Sequence, residues 1–202
     1  MKLYYAPGAC SLAPHVVLRE LGLSFETEQV DLKTHKLADG TDYYSINPKG
    51  YVPLLQLDDG QKLTEIAAIL QYLGDLKPEA GLIPAAGTMQ RYRVIEWLTF
   101  ISSELHKSFS PLFNAAIPAD VKQIFRDKLA QRFTFLDKHL ADKSYLMGEQ
   151  YTVADAYAYT ILSWKDAVKL DIDGWKNLEA YVRRNAAREQ VREALHSEKL
   201  AA

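Results

Sequence analysis

The chain changes character near residue 77, and that change limits its architecture more than any other feature. Up to Leu76, short strand signals alternate with helix signals. Beyond the stretch KPEAGLIPAAGT (77–88), no segment reads as a convincing strand. Two prolines and two glycines in that stretch predict a linker. In the first part, Lys2-Leu3-Tyr4-Tyr5 predicts a strand stopped by Pro7-Gly8. Ser11 predicts the N-cap of a helix carrying Leu12, Val16, Leu18 and Leu21, with Pro14 tolerated in its first turn. Gly22 follows as the expected C′ glycine. Glu26–Asp31 alternates weakly, as a second strand does, and residues 33–50 are polar and end in the turn signal Asn47-Pro48-Lys49-Gly50. Leu54–Leu57, Asp58-Asp59-Gly60 and Gln61-Lys62-Leu63 predict a hairpin, and Ile66–Leu76 is apolar at helical spacing. The order is β-α-β-α-β-β-α, the second α falling in the polar stretch 33–50.

After the linker, Val94, Leu98, Ile101, Leu105 and Leu112 predict one long helix. Pro118 opens another that runs to about Leu140. Thr152-Val153-Ala154-Asp155 is a capping-box pattern ahead of an apolar run to Trp164. Residues 175–196 predict one or two further helices. The expected organisation is an α/β domain over 1–80 and an all-helical domain over 88–202.

Charge and cysteine content narrow the function. Lys+Arg is 24 against 26 Asp+Glu, and the sequence pI is about 6.2, which argues against nucleic acid as a partner. The one cysteine, Cys10, excludes an intrachain disulfide and any zinc site with two thiolates. The five histidines are scattered without an HxxxH pair, and no GxGxxG or Walker loop occurs. Neither a metal nor a nucleotide is therefore expected. No secretory h-region and no long apolar run is present, so a soluble, cytoplasmic protein is expected, with no membrane partner.

Several residues are candidates for chemistry. Cys10 precedes Ser11 at a helix N-terminus, where unpaired N–H groups and the dipole favour a thiolate or a bound anion. Its other reading is a small buried hydrophobe. Val52-Pro53 opens a hairpin strand; a cis bond would present the Val52 backbone to an extended ligand, whereas a trans bond merely starts the strand. Thr64-Glu65 either caps the next helix or grips an amino acid's charged ends with the Ile66 N–H. Lys33, His35, Lys36 and Lys49 form either a carboxylate-binding cluster or an ordinary solvated loop. Thr99, Ser103, His106 and Ser110 form a polar helical stripe, poor in the Lys and Glu of a solvent face. His106 is a candidate hydrogen-bond donor or acid/base. Phe109, Phe113 and Trp164 are candidates for an apolar pocket, with core packing as the alternative.

Taken together, the stretches MKLYYAPGACSLAPHVVLRE, INPKGYVPLLQLDDG, LTE-x-AAILQYL, IEWLTFISSELHKSFSPLF and YTVADAYAYT resemble bacterial glutathione S-transferases of the beta class, over essentially the whole chain. The resemblance implies a thioredoxin-like N-terminal domain, an all-α C-terminal domain and a homodimer. It implies glutathione as co-substrate, conjugated to a small hydrophobic electrophile, with Cys10-dependent thiol transfer or peroxidase activity as a further possibility. Catalysis is assigned to Cys10 and His106. Glutathione binding is assigned to Ala9, Cys10, His35, Tyr51, Val52, a cis Pro53, Glu65 and Ile66. Thr99, Ser103, Glu104, His106 and Lys107 complete the set, Ser103 and Glu104 reaching the site from the dimer partner. Four positions depart from the family's usual residues: His35 for Lys, Tyr51 for Gln, Ile66 for Gly or Ser, and Thr99 for Asn. The competing expectation is a non-catalytic protein of the same fold that acts through protein partners.

Overall fold

The computed structural model describes residues 1–200, which form two units: residues 1–80 together with 188–200, and residues 81–187. The first unit holds a four-stranded sheet in the order β2-β1-β3-β4, built from β1 (Lys2–Tyr5), β2 (Glu26–Gln29), β3 (Leu54–Gln56) and β4 (Lys62–Thr64). β1 pairs parallel with β2 and antiparallel with β3, while β3 and β4 make the expected hairpin. Alternation along β1 puts Leu3 and Tyr4 on opposite faces, and both are buried. Leu3 lies opposite Leu55, also fully buried. Tyr4 belongs to a cluster with Ala6, Val30, Tyr43, Val52 and Leu54.

Helices α1 (Leu12–Glu20) and α2 (Ile66–Leu76) pack on each other in this unit. Gly22, at φ 57°, ends α1 as expected: its N–H reaches the Arg19 carbonyl and the Leu23 N–H reaches that of Leu18. Ser11 does not cap α1. It has helical backbone angles, and its hydroxyl turns back to Ala6. The second helix expected, in residues 33–50, is one 3-10 turn, Tyr43–Ser45, with the Asp42 carboxylate accepting from the Tyr44 N–H.

The second unit is helical: α3 (Met89–Phe100), α4 (Lys107–Phe113), α5 (Ala119–His139), α6 (Val153–Leu162) and α7 (Lys176–Ala186). The expected long helix over 94–112 is interrupted, because Ile101–His106 is a π-helical segment between α3 and α4. Every residue of α6 is buried. Its Asp155, wholly buried, accepts from the Thr152 N–H (2.8 Å) and hydroxyl (2.9 Å), the Leu146 N–H (2.8 Å) and the Tyr181 hydroxyl (2.9 Å). Burial pushes this carboxyl above its ordinary value despite the four donors.

The helical domain was expected to run to residue 202. Instead α8 (Glu189–Ser197) packs on α1, in the first unit. Val191 and Ala194 are buried there, and the Arg188 guanidinium grips both Glu20 oxygens at 2.7 and 3.0 Å. The last two residues of that expected range lie outside the described residues. Among the described residues, no helix is long and apolar enough to cross a membrane.

Asp155→Ala strands several buried donors at once. It is expected to lower the free energy of unfolding by about 4 kcal/mol, measured by urea denaturation.

Candidate functional site

The turn between β1 and α1 carries Cys10. Its backbone is held by the Ala9 N–H to the Ala6 carbonyl (3.0 Å) and by Ser11 Oγ, which accepts from the Ala6 N–H at 3.2 Å. A third tie comes from the residue that follows α8: the Gly8 N–H donates to Glu198 Oε2 at 3.0 Å. Glu198 Oε1 also meets His15 Nδ1 at 2.8 Å, both side chains being almost wholly buried. Arg19 Nε–H donates to His15 Nε2, so Nδ1 carries the proton and donates to the carboxylate. Nothing in the sequence flagged this network, since its partners lie about 190 residues apart.

Cys10 is half-buried, and its Sγ lies 3.4 Å from the Val52 carbonyl. The Val52–Pro53 bond is cis, and β3 begins just after it. The preceding Tyr51 carbonyl accepts from Asn47 Nδ2 (2.7 Å) and from the Tyr43 hydroxyl (3.2 Å). The Val52 N–H finds no acceptor among the described residues.

At the start of α2, Glu65 has φ 69°, a left-handed conformation rare outside glycine. Its side chain makes no cap bond. Its carboxylate takes Lys49 Nζ at 2.8 Å and the Tyr51 hydroxyl at 2.6 Å, and these bonds hold both groups' pKa values above their ordinary ones. Lys49 also donates to Thr64 Oγ1 at 3.0 Å. Ile66 turns its side chain into the core and is 7% exposed, leaving its N–H at the first helical position. His35 is also left-handed, at φ 53°, and its Nδ1 lies 2.9 Å from the Gly50 carbonyl.

In the helical unit, the expected polar stripe is largely self-occupied. The hydroxyls of Thr99, Ser103 and Ser110 each donate to the carbonyl four residues earlier. The Glu104 carboxylate accepts from Arg132 Nε at 2.9 Å and lies 3.4 Å from Lys128 Nζ, which holds it below the usual carboxylate range. Lys107 is exposed at the head of α4. His106 is not on a solvent face: its Nδ1 lies 2.8 Å from the Tyr157 hydroxyl and its ring packs against Trp164. Burial, aided by Lys107, lowers its pKa to about 4. The ring is therefore neutral near pH 7. Phe109 is core, whereas Phe113 is 50% exposed and meets Trp164 edge to face. No group of three or more His, Cys, Asp or Glu side chains among the described residues is placed to hold a metal.

The structure thus brings Cys10, Ala9, Val52 and Pro53 together, and joins Tyr51 to Glu65 beside Ile66. Gly50, Tyr157 and the Glu198–His15 pair also pack around these candidate residues without having been assigned binding or catalytic roles, and Lys49, a candidate for a carboxylate-binding cluster, is instead found on Glu65.

Residues 8–76 match the family described as glutathione S-transferase, N-terminal domain, and residues 100–189 match its C-terminal domain. A curated relative, glutathione S-transferase GstA of Escherichia coli O157:H7, is 45% identical over 200 residues, spanning 99% of this chain and all of that protein. Among solved structures, the ternary complex of BphK, a bacterial glutathione transferase, superposes with a TM-score of 0.97 at 51% identity, covering 99% of this chain and all of that one. A sphingomonad glutathione S-transferase complexed with glutathione gives 0.95 at 44% identity, and a beta-class enzyme of Sphingomonas chungbukensis gives 0.96 at 45%; both cover each chain fully.

The neutral state of His106 has a measurable consequence. The folded ring binds its proton more weakly than the unfolded ring, whose ordinary value is 6.5. Unfolding therefore takes up a proton below pH 6.5, and stability falls as pH falls toward 4. Between pH 7 and 4.5 the wild type is expected to lose about 2.5 kcal/mol more than His106→Gln, read from urea denaturation at both pH values.

Proposed function

Because the chain belongs to the glutathione S-transferase family, with a thioredoxin-like first unit and a helical second one, we propose that it joins the sulfur of reduced glutathione to small electrophiles. The reaction forms a bond from the glutathione sulfur to the electrophilic carbon. The thiol proton and the leaving group depart together as an acid. What supports the reading is the Val52 backbone beside Cys10. Its N–H is open and its carbonyl lies 3.4 Å from Sγ, so an extended cysteinyl peptide that pairs there sets its own sulfur near Cys10. Glu65 and the Ile66 N–H are assigned the two ends of the γ-glutamyl group, and Ala9 and Pro53 shape the cysteinyl stretch. Tyr51 and Lys49 hold Glu65 in place.

The helical-unit residues Thr99, Ser103, Glu104, His106 and Lys107 keep the binding roles that the resemblance implies. A neutral His106 suits a hydrogen bond to a thiolate better than it suits proton donation. Trp164 and Phe113 offer partly exposed aromatic surface for an apolar electrophile. A homodimer is part of the reading. An aromatic groove on α3 and α5, lined by Trp97, Phe100 and Phe135, supplies apolar surface for such a contact. So is a cytoplasmic location, which suits a lone cysteine.

Turnover of 1-chloro-2,4-dinitrobenzene with glutathione tests the conjugation. Cys10→Ala and His106→Ala are each expected to lower kcat/KM about tenfold, the effect of one lost charge-assisted hydrogen bond. Unchanged turnover in both variants would remove their catalytic assignment. Absence of turnover in the wild type, with no retention on immobilised glutathione, would favour the non-catalytic, partner-binding reading instead.

Thiol transfer is the finer reading, supported by the partial exposure of Cys10. In that step the Cys10 thiolate attacks oxidised glutathione, forms a mixed disulfide and releases one reduced glutathione. Intact-mass analysis is expected to show one glutathionyl adduct on the wild type and none on Cys10→Ala.

A further inference from the structure

The two nitrogens of the His106 ring stand in different surroundings, and that difference decides which of them carries the hydrogen. Nδ1 lies 2.8 Å from the hydroxyl of Tyr157, a buried residue of α6. Nε2 makes no hydrogen bond among the described residues, and it is not shut away from solvent. Three features fix the pairing. Asp155, two residues before Tyr157, ties the head of α6 through its four donors and so holds the phenol in place. His106 closes the π-helical segment Ile101–His106, which packs on α6. The imidazole stands edge to face with the Tyr157 ring, at 89° with centroids 5.9 Å apart, and with the Trp164 ring, at 70° and 5.1 Å.

A neutral imidazole holds one N–H and one bare nitrogen. The bare nitrogen accepts a hydrogen bond far better than a phenol oxygen does, and a phenol O–H donates better than an imidazole N–H. The pair is therefore best satisfied when Tyr157 donates and Nδ1 accepts. The reverse arrangement commits the N–H to the poorer acceptor. With Nδ1 accepting, the hydrogen of the ring stands on Nε2, at the open edge.

From this we infer that Tyr157 is a positioning residue for the conjugation: its hydroxyl donates to Nδ1 and so makes His106 a donor at Nε2, where the ring stabilises the glutathione sulfur as thiolate. The inference rests on the conjugation reading above and deepens it. Without the phenol, the neutral ring divides between two tautomers, and only one of them offers a hydrogen to an anion at that edge.

The test joins a spectrum to a mutant cycle. Long-range nitrogen-15 correlation spectra of the wild type at pH 7.5 are expected to show His106 as the Nε2–H tautomer, its signals being those lost in His106→Ala. This measurement needs no other variant to fold. Tyr157→Phe is expected to shift the ring toward a mixture of tautomers and to lower kcat about fivefold with KM for glutathione unchanged, the loss of one hydrogen bond felt in the transition state. In a His106→Ala background the same substitution is expected to leave kcat where it is. An Nδ1–H tautomer in the wild type, or an equal loss from Tyr157→Phe with and without His106, overturns the inference while leaving the transferase reading standing. Absence of turnover in the wild type overturns both.

Discussion

Lys2–Tyr5 carries the hydrogen-bond ladders of β2 on one edge and β3 on the other, and the first unit takes its geometry from that strand. Both of its faces are buried, by Leu3 on one side and Tyr4 on the other. A one-residue slip would exchange these two side chains and break both ladders, so the register is strongly fixed. The turn that follows must therefore leave the sheet at one place, beside the segment that leads into β3. That is why Cys10 meets the Val52 carbonyl, although 42 residues separate them.

Much of this was legible in the sequence, for reasons that are local. Pro7-Gly8 ends a strand, Gly22 ends a helix, and Asp58-Asp59-Gly60 turns a hairpin, because each depends on backbone preferences of the residues themselves. The Thr152–Asp155 box was legible for the same reason, but its further partners Leu146 and Tyr181 were not. The failures have a common cause. Ser11 has a near neighbour in Ala6 that takes its hydroxyl, so a good capping residue caps nothing. The π segment keeps the apolar residues Ile101 and Leu105 buried and so hides inside an ordinary helical pattern. At the candidate site the spacing of Thr99, Ser103 and His106 was legible, but not that the first two bond their own backbone and the third meets the Tyr157 hydroxyl.

The charges are handled differently in the two units. In the first, the carboxylate of Glu65 is exposed and already bears an ammonium and a phenol, so a ligand's ammonium would join an existing arrangement. Such exposed pairs contribute little to stability and can rearrange at low cost. In the second, partial burial of His106 disfavours its charged form, while Glu104 keeps its charge because Arg132 and Lys128 compensate it. Desolvation decides the first case and ion pairing the second.

The contact from Glu198 to the Gly8 N–H sets an order in time. A chain leaves the ribosome from its N-terminus, and domains commonly fold as they emerge. Here the strand, the turn and α1 are all made early, but the acceptor for Gly8 and the partner for His15 arrive only when residue 198 has been synthesised. The helical unit must be translated in between. The loop that carries the sulfur is therefore completed after the body of the protein, so a nascent chain holds Cys10 on an unfinished turn until Glu198 docks.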